Sequence, residues 1–79
     1  MDYNTILQIA EIKLGIEFNH IIEDLKYHIS AGCTGGEIDS MVGKYLKDLQ
    51  INDINAYSIL KDDINMYLIE LRRRGLIII

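Results

Sequence analysis

Proline and tryptophan are absent from this 79-residue chain, and cysteine occurs once, at Cys33. A single cysteine cannot form an internal disulfide or by itself build a cysteine-rich zinc site, so we expect a reducing compartment. The first residues lack the basic segment and apolar core of a secretion signal, and no apolar run approaches the ~20 residues that a membrane helix needs. We therefore expect a cytoplasmic protein that does not cross a membrane.

Positive charge is also scarce until the C-terminus. All 12 acidic residues lie between Asp2 and Glu70, where there are only five lysines, so this part of the chain has a net charge of −7. The run Arg72–Arg74 follows and brings the whole chain to −4. A surface of this sign repels nucleic acid and anionic membranes, and it attracts basic proteins at rates that fall with salt. We predict a basic protein as the partner, and neither nucleic acid nor membrane.

Four segments carry apolar residues at intervals of three and four, which is typical of amphipathic helices. Thr34-Gly35-Gly36-Glu37 fits a capping box, in which the Thr34 hydroxyl and the Glu37 carboxylate accept hydrogen bonds from each other's backbone amides. The predicted helices run from about Asn4 to Leu14, from Asn19 to Gly32, from Gly35 onward, and from Asn52 or Asp53 onward.

The last of these helices is apolar on two sides, which predicts that it is buried on two sides. At its end Glu70 and Arg74 have the i,i+4 spacing of a helical ion pair. Short connections between the four helices favour a single all-α domain over residues 1–79, folded as a small antiparallel four-helix bundle.

The alternative is an α-rich fold with a short two-stranded sheet. Residues 12–18 alternate between apolar and polar side chains, as in a half-buried strand, and they could pair with residues 76–79. The terminal segment is too apolar to remain in water, so it docks on the helices, pairs as a strand or seals a homodimer. It consists of Leu76, Ile77, Ile78 and Ile79.

No group of residues predicts a reaction. His20, Asp24 and His28 recur every four residues, but together they span about 12 Å along a helix, so only two of them could reach one metal ion without help from another segment. Asp24, His28 and Cys33 could serve as orienting group, base and nucleophile, yet their spacing defines no geometry, and a buried Cys33 is the simpler interpretation. The glycines before Glu37 lack the order of a phosphate-binding loop. We predict no enzyme, no catalytic residue, no metal site and no cofactor.

Acidic residues close to tyrosines are the best candidates for a binding surface. Carboxylates attract a basic partner, and aromatic rings exclude water from the contact. Tyr27 lies off the apolar stripe of the second helix, so we predict that it is exposed. The candidate partner-binding residues are Glu23, Asp24, Tyr27, Glu37, Asp39, Asp62 and Asp63.

In length, acidic charge and helical pattern, the whole chain resembles the small helical immunity proteins with which bacteria neutralise basic nuclease toxins. The resemblance implies an inhibitor that covers a cationic active site or a surface beside it, and it assigns no individual residue. Two other functions stay open. One is a structural or regulatory protein that self-associates through its C-terminal residues, and the other is a small DNA-binding regulator that uses Arg72–Arg74.

Overall fold

The computed structural model describes residues 1–76, which fold into four α-helices and one 3-10 turn. The predicted helices are confirmed, each starting within two residues of its expected position, and this part of the chain is all-α. The elements are α1 (Tyr3–Lys13), the 3-10 turn (Ile16–Phe18), α2 (Asn19–Ala31), α3 (Gly35–Asn52) and α4 (Ile54–Arg73).

The alternative sheet is wrong for its first strand. Residues 12–18 include the end of α1 and the 3-10 turn. Ile6, Ala10 and Leu14 are buried at intervals of four residues, which is the spacing of a helix and not of a strand. Of the proposed second strand, only Leu76 is described, and it lies half-buried against the core. The predictions for Ile77, Ile78 and Ile79 fall outside the described residues.

The side chain of the residue just before the helix determines where three of the helices begin. Asp2, Thr34 and Asp53 each accept a hydrogen bond from the backbone N–H three residues later, at 2.9, 3.1 and 3.2 Å. These bonds satisfy amides of the first helical turn that have no partner within the helix, and each is worth about 1 kcal/mol. The Thr34 half of the predicted capping box is therefore confirmed, whereas the described residues show no bond from the Thr34 N–H to the Glu37 carboxylate.

Helix α4 ends at a glycine in the left-handed conformation. Gly75 has a φ of 84°, which a residue with a Cβ rarely adopts. The Gly75 N–H donates to the Arg72 carbonyl at 3.0 Å, and the Leu76 N–H donates to the Leu71 carbonyl at 2.9 Å. This pair of bonds is the Schellman motif, and it turns the chain so that Leu76 returns to the core.

All four helices contribute to one hydrophobic core. Helix α4 packs on α3 and α1, and α2 packs on α1 and α3. No helix within residues 1–76 is long and apolar enough to cross a membrane. The largest fully buried apolar side chains are Ile6, Ile21, Leu25, Val42, Leu46, Leu60, Ile64, Tyr67 and Leu71.

The prediction that the last helix is buried on two sides is wrong. Ile59, Met66 and Ile69 lie on the face of α4 opposite the core and are 43%, 61% and 46% exposed. Helices α1 and α3 both pack against the other face, and no described element covers this one. The second apolar stripe is therefore a surface feature.

A buried carboxylate joins α3 to α4. The Tyr67 hydroxyl donates to Asp39 Oδ1 at 2.6 Å, and Arg74 Nη1 donates to Asp39 Oδ2 at 3.1 Å. Burial, followed by the hydrogen bond to Asp39, raises the pKa of Tyr67, so its hydroxyl remains a donor. The predicted pair of Glu70 with Arg74 is wrong, since Arg74 turns inward to Asp39 and Arg73 lies near Glu70 at 3.9 Å.

Gly32 and Gly35 differ in the room that each leaves for a side chain. A Cβ on Gly32 would overlap Cγ1 of the buried Ile38, whereas a Cβ on Gly35 meets nothing within 4 Å. We expect Gly32→Ala to lower the free energy of unfolding by about 1–3 kcal/mol through overpacking. The matched change Gly35→Ala should leave it unchanged or raise it by up to about 1 kcal/mol. Urea unfolding measures both, and equal effects would contradict the packing described at Gly32.

Candidate functional site

The exposed side of α2 meets α3 along a surface that carries acidic, aromatic and thioether side chains. Both helices bring their polar faces to this boundary because their apolar faces are buried in the common core. We call it the α2–α3 surface, and its residues are Glu23, Asp24, Tyr27 and His28 from α2 and Met41, Lys44, Tyr45 and Asp48 from α3.

A hydrogen bond between side chains holds the two helices together at this surface. The Tyr45 hydroxyl donates to Asp24 Oδ2 at 2.7 Å. Burial, then the hydrogen bond to Asp24 and its charge, raise the pKa of Tyr45, so the phenol stays protonated. The bond also fixes Asp24 at the boundary between the helices while leaving the residue exposed.

Next to this bond the imidazole of His28 lies between two tyrosine rings. Its centroid is 5.8 Å from that of Tyr27, with the rings at 69°, and 5.3 Å from that of Tyr45, with the rings at 52°. Nδ1 of His28 is buried and has no hydrogen-bond partner among the described residues. An unpaired buried nitrogen costs about 1–3 kcal/mol, and the contacts of the ring with Tyr27 and Tyr45 offset part of that cost.

An open depression of about 270 Å³ lies beside these rings, lined by His28, Met41, Lys44, Tyr45 and Asp48. Lys44 Nζ is 3.1 Å from Asp48 Oδ2, one helical turn along α3. The lining therefore combines aromatic and thioether groups with an ion pair at the rim.

Beyond the depression, α2 presents Glu23 and Tyr27 one helical turn apart on its exposed face. The predicted exposure of Tyr27 is confirmed, because 67% of its surface is accessible. Glu23 is exposed and forms no ion pair within residues 1–76. Three of the predicted site residues, Glu23, Asp24 and Tyr27, therefore lie together on one helix.

The structure disperses the other predicted site residues. Glu37 is exposed in the first turn of α3, and Asp62 is exposed on α4. Asp63 is half-buried and lies 2.6 Å from Lys13 Nζ, which joins α4 to α1. Asp39 is only 2% exposed and belongs to the network with Tyr67. Sequence spacing alone could not distinguish Asp39 from exposed carboxylates, because its partners Tyr67 and Arg74 lie 28 and 35 residues further along the chain.

The residues considered for metal binding do not form a metal site in the described part of the chain. No three His, Cys, Asp or Glu side chains in the described part of the chain are arranged to hold a metal ion. His20 Nε2 lies 3.6 Å from Asp53 Oδ2, at the start of α4. Cys33 is exposed, so the prediction that it is buried is wrong. It lies in the short linker before α3.

Two of the three residues Arg72–Arg74 lie close to carboxylates of the same chain. Arg74 binds Asp39, and Arg73 lies 3.9 Å from Glu70. Arg72 is the one arginine of the run without an ion pair among residues 1–76. At most Arg72 and Arg73 could therefore contact phosphate groups without breaking the bond of Arg74 to Asp39.

Comparison with protein-family models, with curated proteins and with solved structures gave no match.

Tyr45 and Tyr27 form a matched pair for testing the geometry of the α2–α3 surface. We expect Tyr45→Phe to lower the free energy of unfolding by about 0.5–1.5 kcal/mol, because it removes the bond to Asp24. The Tyr27 hydroxyl makes no hydrogen bond among the described residues, so Tyr27→Phe should change stability by less than about 0.5 kcal/mol. Urea unfolding followed by circular dichroism measures both values. Equal losses would contradict the bond between Tyr45 and Asp24.

Proposed function

We propose that this chain is an acidic protein-binding module, an immunity or antitoxin type of inhibitor that neutralises a basic, nuclease-like bacterial toxin in the cytoplasm. In this proposal the four helices form an antiparallel four-helix bundle, and the α2–α3 surface contacts the toxin. The observation that carries the proposal is the cluster of Glu23, Asp24 and Tyr27 on the exposed face of α2, beside the open depression against α3.

Charge supplies the first argument. The chain has a net charge of −4, and Glu23 and Asp24 are exposed next to each other. A cationic partner approaching this surface is accelerated by long-range attraction, and like-charged molecules are rejected. Asp39 and Asp63 contribute less to this field, because each is already paired with a cation of the chain.

The aromatic residues supply the second argument. Strong contacts in protein interfaces are concentrated in a few tyrosine, tryptophan and arginine side chains that are surrounded by less important residues. Tyr27 offers an exposed ring at the edge of the depression, and Met41 offers a flexible apolar wall within it. An arginine or lysine of a basic partner fits this combination, because its charge meets Glu23 or Asp24 while its methylene groups cover the aromatic ring.

The packing of His28 is consistent with a surface selected for binding. Its buried Nδ1 has no hydrogen-bond partner among the described residues, and the ring packs between those of Tyr27 and Tyr45. Local costs of this kind are concentrated at functional sites.

The test is a comparison of two charge reversals. The tagged chain is used to capture proteins from cells of its own source, and any basic protein enriched is purified and tested as a nuclease with and without the chain. We expect Glu23→Lys to weaken capture and inhibition at least tenfold, because it opposes a cationic surface. Glu11→Lys changes the net charge equally on α1 and should have a much smaller effect.

Salt and the aromatic ring provide further controls. Binding should weaken steeply between roughly 0.05 and 0.5 M salt, since screening shortens the reach of exposed charges. Tyr27→Ala should weaken binding even at high salt, because it removes contact area and not charge. Equal loss with Glu23→Lys and Glu11→Lys would contradict the proposed surface. Capture of a basic protein whose activity the chain leaves unchanged would contradict an inhibitor.

A further inference from the structure

The outer face of α4, opposite the core, carries a regular stripe of exposed side chains. They follow each other at intervals of three, four, three and four residues, which keeps them on one line along the helix. Met66 and Ile69 are 61% and 46% exposed at the middle of this line. The outer face of α4 consists of Ile59, Asp62, Met66, Ile69 and Arg73.

Opposite charges flank the apolar centre of the outer face. Asp62 precedes Met66 by four residues, and Arg73 follows Ile69 by four residues. Asp62 forms no ion pair within residues 1–76, and Arg73 makes only a long contact of 3.9 Å with Glu70. An acid and a base are therefore placed about 16 Å apart along the helix, symmetrically about the apolar pair.

We propose that the outer face of α4 binds a second copy of the same face, with the two helices antiparallel. In this arrangement Met66 faces Ile69 of the second copy, and Asp62 faces its Arg73. Two-fold symmetry then repeats both contacts, which gives two apolar contacts at the centre and one ion pair at each end. The positions also alternate in the way that antiparallel coiled coils pair their inward residues.

Other registers are less favourable than this one. In the chosen register Glu70 comes to face Asp63 of the second copy, and the Lys13 ammonium, 2.6 Å from Asp63, offsets part of that repulsion. Sliding one helix by a heptad would place Asp62 against Met66 and bury a carboxylate without a cation, which is costly. The contact is small compared with the roughly 1,600 Å² of a standard interface, so the association is weak and depends on concentration.

The dimer contact does not use the α2–α3 surface, because α2 packs on α1 and α3 while the contact uses the far side of α4. Self-association through α4 therefore does not depend on the function proposed above. It also differs from the predicted homodimer through Leu76, Ile77, Ile78 and Ile79, since Leu76 packs on the core of its own chain.

A charge exchange tests the pairing. Sedimentation equilibrium over a concentration series measures the dissociation constant of the untagged full chain. We expect Asp62→Arg alone and Arg73→Asp alone each to weaken dimerisation about tenfold or more, because like charges then meet at both ends. The double variant D62R/R73D restores the ion pairs in exchanged order and should recover affinity to within about threefold. Failure of the double variant to recover would overturn the pairing, as would a wild-type chain that stays monomeric throughout.

Two substitutions to glutamate test the register. Met66→Glu at the centre should abolish the dimer, whereas Ile59→Glu, beyond the end of the facing helix, should have a much smaller effect. Equal losses would overturn the antiparallel register. A dimer that resists all these changes but disappears when residues 77–79 are deleted would overturn the role of α4. Circular dichroism and melting temperature verify that each variant is folded, and both glutamate variants change exposed positions only.

Discussion

The burial of one carboxylate, that of Asp39, constrains how α4 lies against α3. An unpaired charge in the interior costs several kcal/mol, so Asp39 requires both the Tyr67 hydroxyl at 2.6 Å and the Arg74 guanidinium at 3.1 Å. Tyr67 comes from α4 and Arg74 follows its last turn. The network therefore fixes the rotation of α4 about its axis as well as its position along α3, and Gln50 bonded to Tyr57 at 3.1 Å fixes the other end of the pair.

That constraint determines which side chains remain available to partners. With Tyr67, Leu68 and Leu71 all facing inward, Met66 and Ile69 face outward, because each lies about 100° or more around the helix axis from those three residues. Helix α2 packs on the side of α3 that α4 leaves open, and it carries Glu23 and Tyr27 into solvent. The molecule thus exposes two separate surfaces of different chemistry, one acidic and aromatic, the other apolar with a charge of each sign.

The sequence predicted the helices well because their determinants are local. The hydroxyl of Thr34 and the spacing of apolar residues lie within the segments that they define. The burial of Asp39 could not be predicted in this way, since its partners are distant in sequence. The local sequence around an exposed carboxylate on a helix has the same pattern. For α4, periodicity identified two apolar stripes, but which stripe is buried depends on where α1 and α3 pack. Tyr27 was predicted correctly because its own helix already has a complete apolar stripe without it.

The most direct test of this account measures the coupling between Asp39 and Tyr67 in a double-mutant cycle of unfolding free energies. Tyr67→Phe should cost about 1.5–3 kcal/mol in the wild-type chain, because it removes a hydrogen bond to a buried charge. In a chain that already carries Asp39→Ala, the same change should cost less than about 1 kcal/mol, since the hydroxyl retains only the long bond to the backbone carbonyl of residue 39, at 3.5 Å. An equal cost in both backgrounds would contradict the view that this carboxylate fixes α4 on α3.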